Sequence, residues 1–484
     1  MGEKKRDGIM FETDTIEIFE VPSHWVSEGE CRLNASFYSQ DVIAARLLLS
    51  KVANKGVTTT PLVDLSDDIS MPALKITIPF TDHGEPYLTQ SEVEYFLPES
   101  RKKINLSKLQ HPDKWYVKSG VILISQSGTI GRVTIATKYL ERFVISPNPI
   151  RLTANEEIIG YLYAFLSSWI GSALIRSPKY GVTVDHILPH HLYNIPVPRI
   201  PELEGKINRK ILEAHRLREE AQGLLLKTRE MLYSELGLPE IDKDDVEYLG
   251  GEKGRIIKSF EIKARELDFR LDASYHLPLC RLAIQKLTEA RSGAVKRLEN
   301  IADSFVPPRF KRTYVKNPTD GIPLLQGTHI SQTRPQDIKY IWKRMKNLDS
   351  YSVKKNWILV TCSGTIGRLS LVRDGWDGWS ATNHLLRIIP KEGEIHPGYL
   401  TAFLLTVYGQ AQFQRLTYGG VVDEIGEAGE LFDDILVVKP KNEELEDRIG
   451  RLVFEAYDKR DKANQLEDEA VNLLEKELRE LTQK

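Results

Sequence analysis

Ser127-Gly-Thr-Ile-Gly-Arg132 returns without change as Ser363-Gly-Thr-Ile-Gly-Arg368. The first copy lies between Val121-Ile-Leu-Ile124 and Val133-Thr-Ile-Ala136, the second between Trp357-Ile-Leu-Val360 and Leu369-Ser-Leu-Val372. Apolar, β-branched runs on both sides of paired glycines predict strand, turn, strand, with glycine where the backbone angles exclude side chains. Further out, Arg32-Leu-Asn-Ala-Ser36 is echoed by Arg270-Leu-Asp-Ala-Ser274, and Tyr161-Leu-Tyr-Ala-Phe-Leu166 by Tyr399-Leu-Thr-Ala-Phe-Leu404. Tyr180-Gly181 with Val184-Asp185 reappears as Tyr418-Gly419 with Val422-Asp423, and Glu202-Leu-Glu204 as Glu444-Leu-Glu446. All five echoes keep their order at offsets of 236 to 242 residues. A long unit that occurs twice is a duplicated module, expected to fold as a pseudo-twofold pair and to bind something with two related halves.

Each copy ends in a long helical pattern. Ile207, Ile211, Ala214, Ala221, Leu225 and Leu232 fall on steps that suit a coiled-coil seam, interrupted by Arg218. In the second copy Ile449, Leu452, Ala456, Ala463, Leu466, Ala470 and Leu473 do the same, interrupted by Lys459. Helices of about 35 and 40 residues would be rods of roughly 50 to 60 Å. Two such seams in one chain pack most simply against each other, antiparallel under a pseudo-twofold axis; a seam for another protein's helix is the competing view. Gly237-Leu-Pro239 stops the first helix. Shorter helices are expected over about Gln40–Lys51, Ile158–Leu174 and Pro397–Phe413. The predicted fold is α+β, divided into a polar lead-in (1–30, with a short strand at Ile16–Glu20), a first module (31–200), a first spacer helix (201–238), a linker holding Gly250-Gly251 (239–262), a second module (263–441) and a second spacer helix (442–484).

The 484 residues carry a formal net charge of −2, but the charge is unevenly spread. Phe305 to Asp374 holds 13 basic and 4 acidic residues. The first copy has a weaker, local bias at Arg101, Lys102, Lys103, Lys108, Lys114 and Lys118, with Asp113 alone opposing it. Two basic patches at matched places suit a phosphate-bearing partner better than solvated surface does. No apolar run reaches transmembrane length, and Met1-Gly-Glu-Lys-Lys-Arg6 is not followed by a signal core. Cys31, Cys280 and Cys362 lack metal-ligand spacing, which points to a reducing cytoplasm. Gln126 stands where the second copy has Cys362, so that thiol reads as a small strand residue.

No catalytic constellation emerges. Gly128-Thr-Ile-Gly131 is too short for a dinucleotide loop and leads into a strand, and no phosphate loop ends in Gly-Lys-Ser/Thr. Ser146-Pro-Asn-Pro149 lacks the adjacent prolines and stacking aromatic of an adenine methyltransferase motif, and its counterpart Ala381-Thr-Asn-His384 has no proline. His186, His190 and His191 have no repeated equivalent, and the acidic pairs Asp67-Asp68 and Asp433-Asp434 look like solvated turns. Neither metal nor cofactor is expected.

Two modules that differ outside their shared landmarks, each opening on Arg-Leu-(Asn/Asp)-Ala-Ser-(Phe/Tyr), each with a Ser-Gly-Thr-Ile-Gly hairpin and each followed by a long helix, closely resemble the specificity (S) subunit of type I restriction–modification systems, or the similar subunit of a related methylation-linked phage-defence system. The resemblance spans about residues 30 to 484. It implies two target-recognition domains, each reading one half of a split double-stranded DNA sequence, and an antiparallel coiled coil that spaces them and docks two methyltransferase subunits, with restriction or other defence subunits as further partners. It implies a non-catalytic chain, the chemistry residing in those partners. Two features depart from that pattern: the first module is only weakly basic, and the helices differ in length. Candidate DNA contacts are Lys102, Lys103, Lys118, Gln126, Ser127, Thr129 and Arg132 in the first module. In the second they are Arg309, Lys311, Arg312, Arg334, Lys343, Arg344, Lys346, Lys354, Ser363, Thr365 and Arg368. Phosphate positions such a protein while base edges supply sequence. For the hairpin tips a second reading stands: their glycines simply build the turn. For the chain as a whole the alternative is a scaffold that binds protein and no DNA.

Overall fold

The computed structural model describes residues 32–73, 76–181, 184–242, 259–267, 270–290, 292–418, 424–425 and 430–483, with isolated positions at 21, 23, 26, 245 and 246. The expected strand at Ile16–Glu20, the Gly250-Gly251 linker, and Gly419, Val422 and Asp423 lie outside the described residues.

The fold is α+β, with two long helices that pack extensively on each other. The hairpins form where the sequence places them: Ile122–Ile124 pairs antiparallel with Val133–Ile135, and Ile358–Thr361 with Leu369–Leu371. Each hairpin gains two more strands, Ile150–Thr153 and Asp68–Ser70 in the first half, Leu385–Pro390 and Ala302–Phe305 in the second. A second four-stranded sheet follows in each half. In the first it consists of Phe80–Thr81, Lys102–Ile104, Glu85–Leu88 and Val144–Ile145, in that order across the sheet. In the second it consists of Tyr314–Val315, Lys339–Trp342, Gly321–Leu325 and Ser380–Ala381, with the same pattern of two antiparallel and one parallel pairing. These second sheets were not legible as strands, because their runs are short, polar and paired across long loops.

The helices expected over Ile158–Leu174 and Pro397–Phe413 are each split in two. Ser168 leaves the helical conformation, and its hydroxyl accepts from the amide of Gly171 to start the helix Trp169–Arg176. An extended Thr406 likewise separates Pro397–Leu404 from Val407–Arg415.

The long helices cover Pro201–Leu236 and Glu443–Gln483. Proline starts the first, where its missing N–H costs nothing, and Gly237 ends it in the left-handed conformation at φ 63°. Along the first helix Lys210, Glu220 and Met231 meet Glu469, Lys459 and Arg448 in turn, so the two run in opposite directions. The first seam is buried as read, Arg218 included. The second is turned by about one position. Its fully buried residues are Ile449, Val453, Ala456, Arg460, Ala463, Glu467, Ala470, Leu474 and Leu478, while Leu452, Leu466 and Leu473 are half-buried and Lys459 sits at the rim on Glu220. The reason is a wider contact: this helix packs on both halves of the chain as well as on its partner helix. Its end, through Ala470, Leu474 and Leu478, belongs to the core of the first half. Conversely, Ala221, Leu225 and Leu232 of the first helix belong to the core of the second half. Only Ala214, Leu217 and Ala463, with Leu466 against them, form a separate helix-to-helix cluster between these cores.

Candidate nucleic-acid interface

The hexapeptide turns are closed in the same way in both halves. The hydroxyl of Ser125 accepts from the amide of Arg132 at 2.9 Å and donates to the Thr129 carbonyl; Thr361 does the same for Arg368, at 3.0 Å, and Thr365. Gly128, Gly131, Gly364 and Gly367 all have φ between 70° and 86°. Gly128 and Thr129 are exposed, as is Gly364, while Ser127, Ser363 and Thr365 are half-buried. Gln126 is buried, its amide donating to Gln90 Oε1 and its carbonyl accepting from Ile187. Ser125 and Thr361 escaped the sequence reading because they lie one residue outside the echoed strings and differ in type.

The two turn arginines point to the junction between the halves. Arg132 pairs with Glu94 at 3.0 Å and with Asp337 of the second half at 2.5 Å. Arg368 donates to the Tyr95 hydroxyl at 2.6 Å and lies 4.4 Å from that ring's centre. Between them the backbones meet directly: Phe96 N–H donates to Ser331 O at 2.8 Å and Thr333 N–H to Glu94 O at 2.9 Å, a two-residue antiparallel bridge of Tyr95 with Gln332. Burial raises the Glu94 carboxyl above the ordinary value, more than Arg132 and Gln332 lower it. Arg334 is turned inward as well, onto Asp468 and Glu467.

Glu467 is buried at the centre of this junction. Arg218 of the first long helix bonds it, Arg334 approaches at 3.7 Å, and the Tyr163 hydroxyl reaches it from the first half. Burial alone would raise its carboxyl, but Arg218 and these neighbours hold it below the ordinary range.

The remaining candidate cations gather on the second sheets. Lys102 is exposed, 5.1 Å from the ring centre of Phe80 on the paired strand. Lys339, on the matching strand of the other half, is 5.4 Å from Tyr314. Phe80 and Tyr314 are themselves exposed (55% and 47%), as is Trp342. Each sheet therefore presents an aromatic face beside an ammonium, a pairing suited to sugar, base or phosphate. Sequence reading missed Phe80, Tyr314 and Trp342, since only strand pairing sets the first two beside their lysines. Lys103 is half-buried, and Lys118, Arg309, Lys311, Arg344, Lys346 and Lys354 are exposed. Lys343 donates to the Thr319 carbonyl at 2.7 Å, and Arg312 to Asn383 at 3.0 Å. The sheets thus hold the cations together, while Arg132, Arg334 and Arg368 stand apart in the junction.

Among the described residues no group of three His, Cys, Asp or Glu side chains is placed to hold a metal ion, and no helix is long and apolar enough to cross a membrane. Cys280 and Cys362 are buried, and burial pushes their thiols up to about 12 and about 11.

No family model matches the chain, and no curated protein does. Solved structures show a remote likeness over 88% of it. The type I restriction–modification system S subunit from M. genitalium is 15% identical with a TM-score of 0.33, over 96% of that chain. The HsdS subunit from Thermoanaerobacter tengcongensis is 13% identical, TM-score 0.28, over 96% of its length. A chain from a structure of complex assembly and conformational transition in the type I R-M system is 13% identical, TM-score 0.28, over 97%.

Proposed function

We propose that this chain is a DNA-specificity subunit: two recognition modules, residues 31–200 and 263–441, each read one half of a split duplex target, and the two long helices hold them apart as a spacer. In this reading it brings no catalysis of its own and directs partner adenine methyltransferase subunits, with restriction subunits where the system has them, to the site. The observation that carries it is the pair of second sheets. They share one strand order, differ in sequence, and each sets an exposed aromatic beside a lysine. Identical frames with different surfaces suit two different half-sites on one polyanion. The contacts assigned to DNA are Lys102, Lys103 and Lys118 with Phe80, and Arg309, Lys311, Arg312, Lys343, Arg344, Lys346 and Lys354 with Tyr314. Thr129 and Thr365 are kept as contacts at the turns.

Duplex binding by the purified chain at several salt concentrations tests the reading. Each neutralised phosphate contributes about 0.9 to the slope of log K against log salt, so several contacts give a steep fall. A flat response would instead identify a protein-binding scaffold. The spacer is tested by adding one heptad to each long helix beside Ala214 and Ala463. That lengthens the rod by about 10 Å at 1.5 Å per residue, and the unread gap should grow by roughly three base pairs at 3.4 Å each. Unchanged half-site spacing in a folded, active complex would leave the helices without a ruler role.

A further inference from the structure

The shared motifs leave one thing exposed in both halves that neither the turns nor the cores use. Leu33 and Leu271, at the same position of the Arg-Leu-(Asn/Asp)-Ala-Ser motif, are 84% and 85% exposed. Tyr180 and Tyr418, again equivalent, are 43% and 44% exposed. In each half the motif is fastened to the loop bearing the tyrosine. Arg32 donates to the carbonyls of Pro178 and Lys179 at 2.9 and 3.0 Å, and Ser274 donates to that of Thr417 at 2.7 Å. The backbone on the far side is held too, by Tyr38 on Arg32 O and by His276 on Arg270 O. The fastening bonds differ between the halves; the outward leucine and tyrosine do not.

A single exposed leucine is ordinary. The same two residues, equally exposed at equivalent places in halves that differ elsewhere, require a common cause. It is not packing, since both leucines lie outside the cores, and it is not backbone geometry, which does not demand leucine. The common cause is therefore outside the chain, and it is the same for both halves. Charge decides its class. The arginines of the shared motifs are held by acceptors of this chain: Arg32 by carbonyls, Arg270 by Asp272, Arg132 by Glu94 and Asp337, Arg368 by Tyr95. An aliphatic side chain and a phenol ring suit an apolar slot on a protein, whereas the cations suited to DNA lie on the variable sheets.

We propose that Leu33 with Tyr180 and Leu271 with Tyr418 are two equivalent docking knobs, each seating one copy of the same protein. Resting on the function proposed above, that protein is the methyltransferase subunit, so one chain takes two copies through matching contacts while its two DNA surfaces differ.

The test uses the full chain co-expressed with the adenine methyltransferase subunit encoded beside its gene, with stoichiometry read by native mass spectrometry. The unsubstituted chain should carry two copies. Leu33→Asp and Leu271→Asp should each leave one, and the double variant none. The dissociation constant at each altered site should rise about ten- to a hundredfold, the range expected for losing one buried leucine. Leu33→Met should keep two copies, and melting temperature and duplex affinity should not move in any variant. Two copies retained by the double variant would overturn the proposal, as would loss of both copies from either single variant. A drop in duplex affinity with methyltransferase binding intact would hand the patch to DNA. If the unsubstituted chain binds no methyltransferase, the functional reading itself fails, and that is seen before any substitution is made.

Discussion

Arg132 and Arg368 occupy the last position of the same six-residue turn, closed by the same hydroxyl device, yet they end on different groups. Arg132 bridges two carboxylates, one from each half of the chain. Arg368 sits on the ring and hydroxyl of Tyr95. The local sequence dictates the turn; what the arginine meets is dictated by the opposite half, where Glu94 and Asp337 have no charged counterparts around Arg368. The duplication thus makes two equal frames and breaks their equality where they touch.

The largest effect expected from disturbing that junction is at its centre. Removing one partner of a buried ion pair strands the other charge and costs about 3–5 kcal/mol, whereas replacing both with apolar groups is often neutral or stabilising. Arg218→Leu or Glu467→Leu should therefore lower unfolding free energy by about that amount, and the double variant should recover most of it, as measured by denaturant unfolding. If the double variant is as weak as either single one, the pair is less important than Tyr163, Arg334 and Asn464 around it.

Next in size is the contrast between the turns. Arg132→Ala leaves the buried Glu94 without its cation, a desolvation cost of about 1–3 kcal/mol. Arg368→Ala loses one hydrogen bond and a cation–ring contact, about 1 kcal/mol in sum. Because both guanidiniums are engaged within the chain, neither substitution should change the salt slope of duplex binding. A slope reduced by about one unit in Arg368→Ala, with folding intact, would return that residue to the phosphate backbone.

Much of this frame was legible from sequence, for reasons that particular residues make clear. The hairpins were visible because β-branched runs flank glycines that only turns require. The first helix was visible because its seam is apolar and ends in Gly237. The second seam was misplaced by one position because Arg460 and Glu467 are charged and were read as surface, although their partners bury them. Arg460 reaches Ser370 and Asp461, and lies against the rings of Trp376 and Tyr457. No one-dimensional pattern records such partners. The candidate site divided along the same line. Clusters of lysine were found from composition, while Phe80, Tyr314 and the inward turn of Arg132, Arg334 and Arg368 depend on residues far away in the chain.

The smallest expected effect compares two buried carboxylates of the junction that titrate in opposite senses. Glu467 is held below its ordinary value of 4.5: burial opposes ionisation, but Arg218, Arg334 and Tyr163 outweigh it. Its contribution to stability is therefore present above about pH 4.5 and is lost as pH falls through the depressed folded value. Glu94 is raised, because its burial outweighs Arg132 and Gln332. Its contribution runs the other way: present below about pH 4.5, and lost as pH rises through the raised folded value. Denaturant unfolding of Glu94→Gln against the unsubstituted chain across pH 4 to 7 isolates this term. The variant should lack the loss of stability that Glu94 causes as pH rises above 4.5, while the acid loss due to Glu467 persists. Parallel pH profiles over the upper part of that range would mean that Arg132 fully compensates the burial of Glu94, making the two carboxylates alike after all.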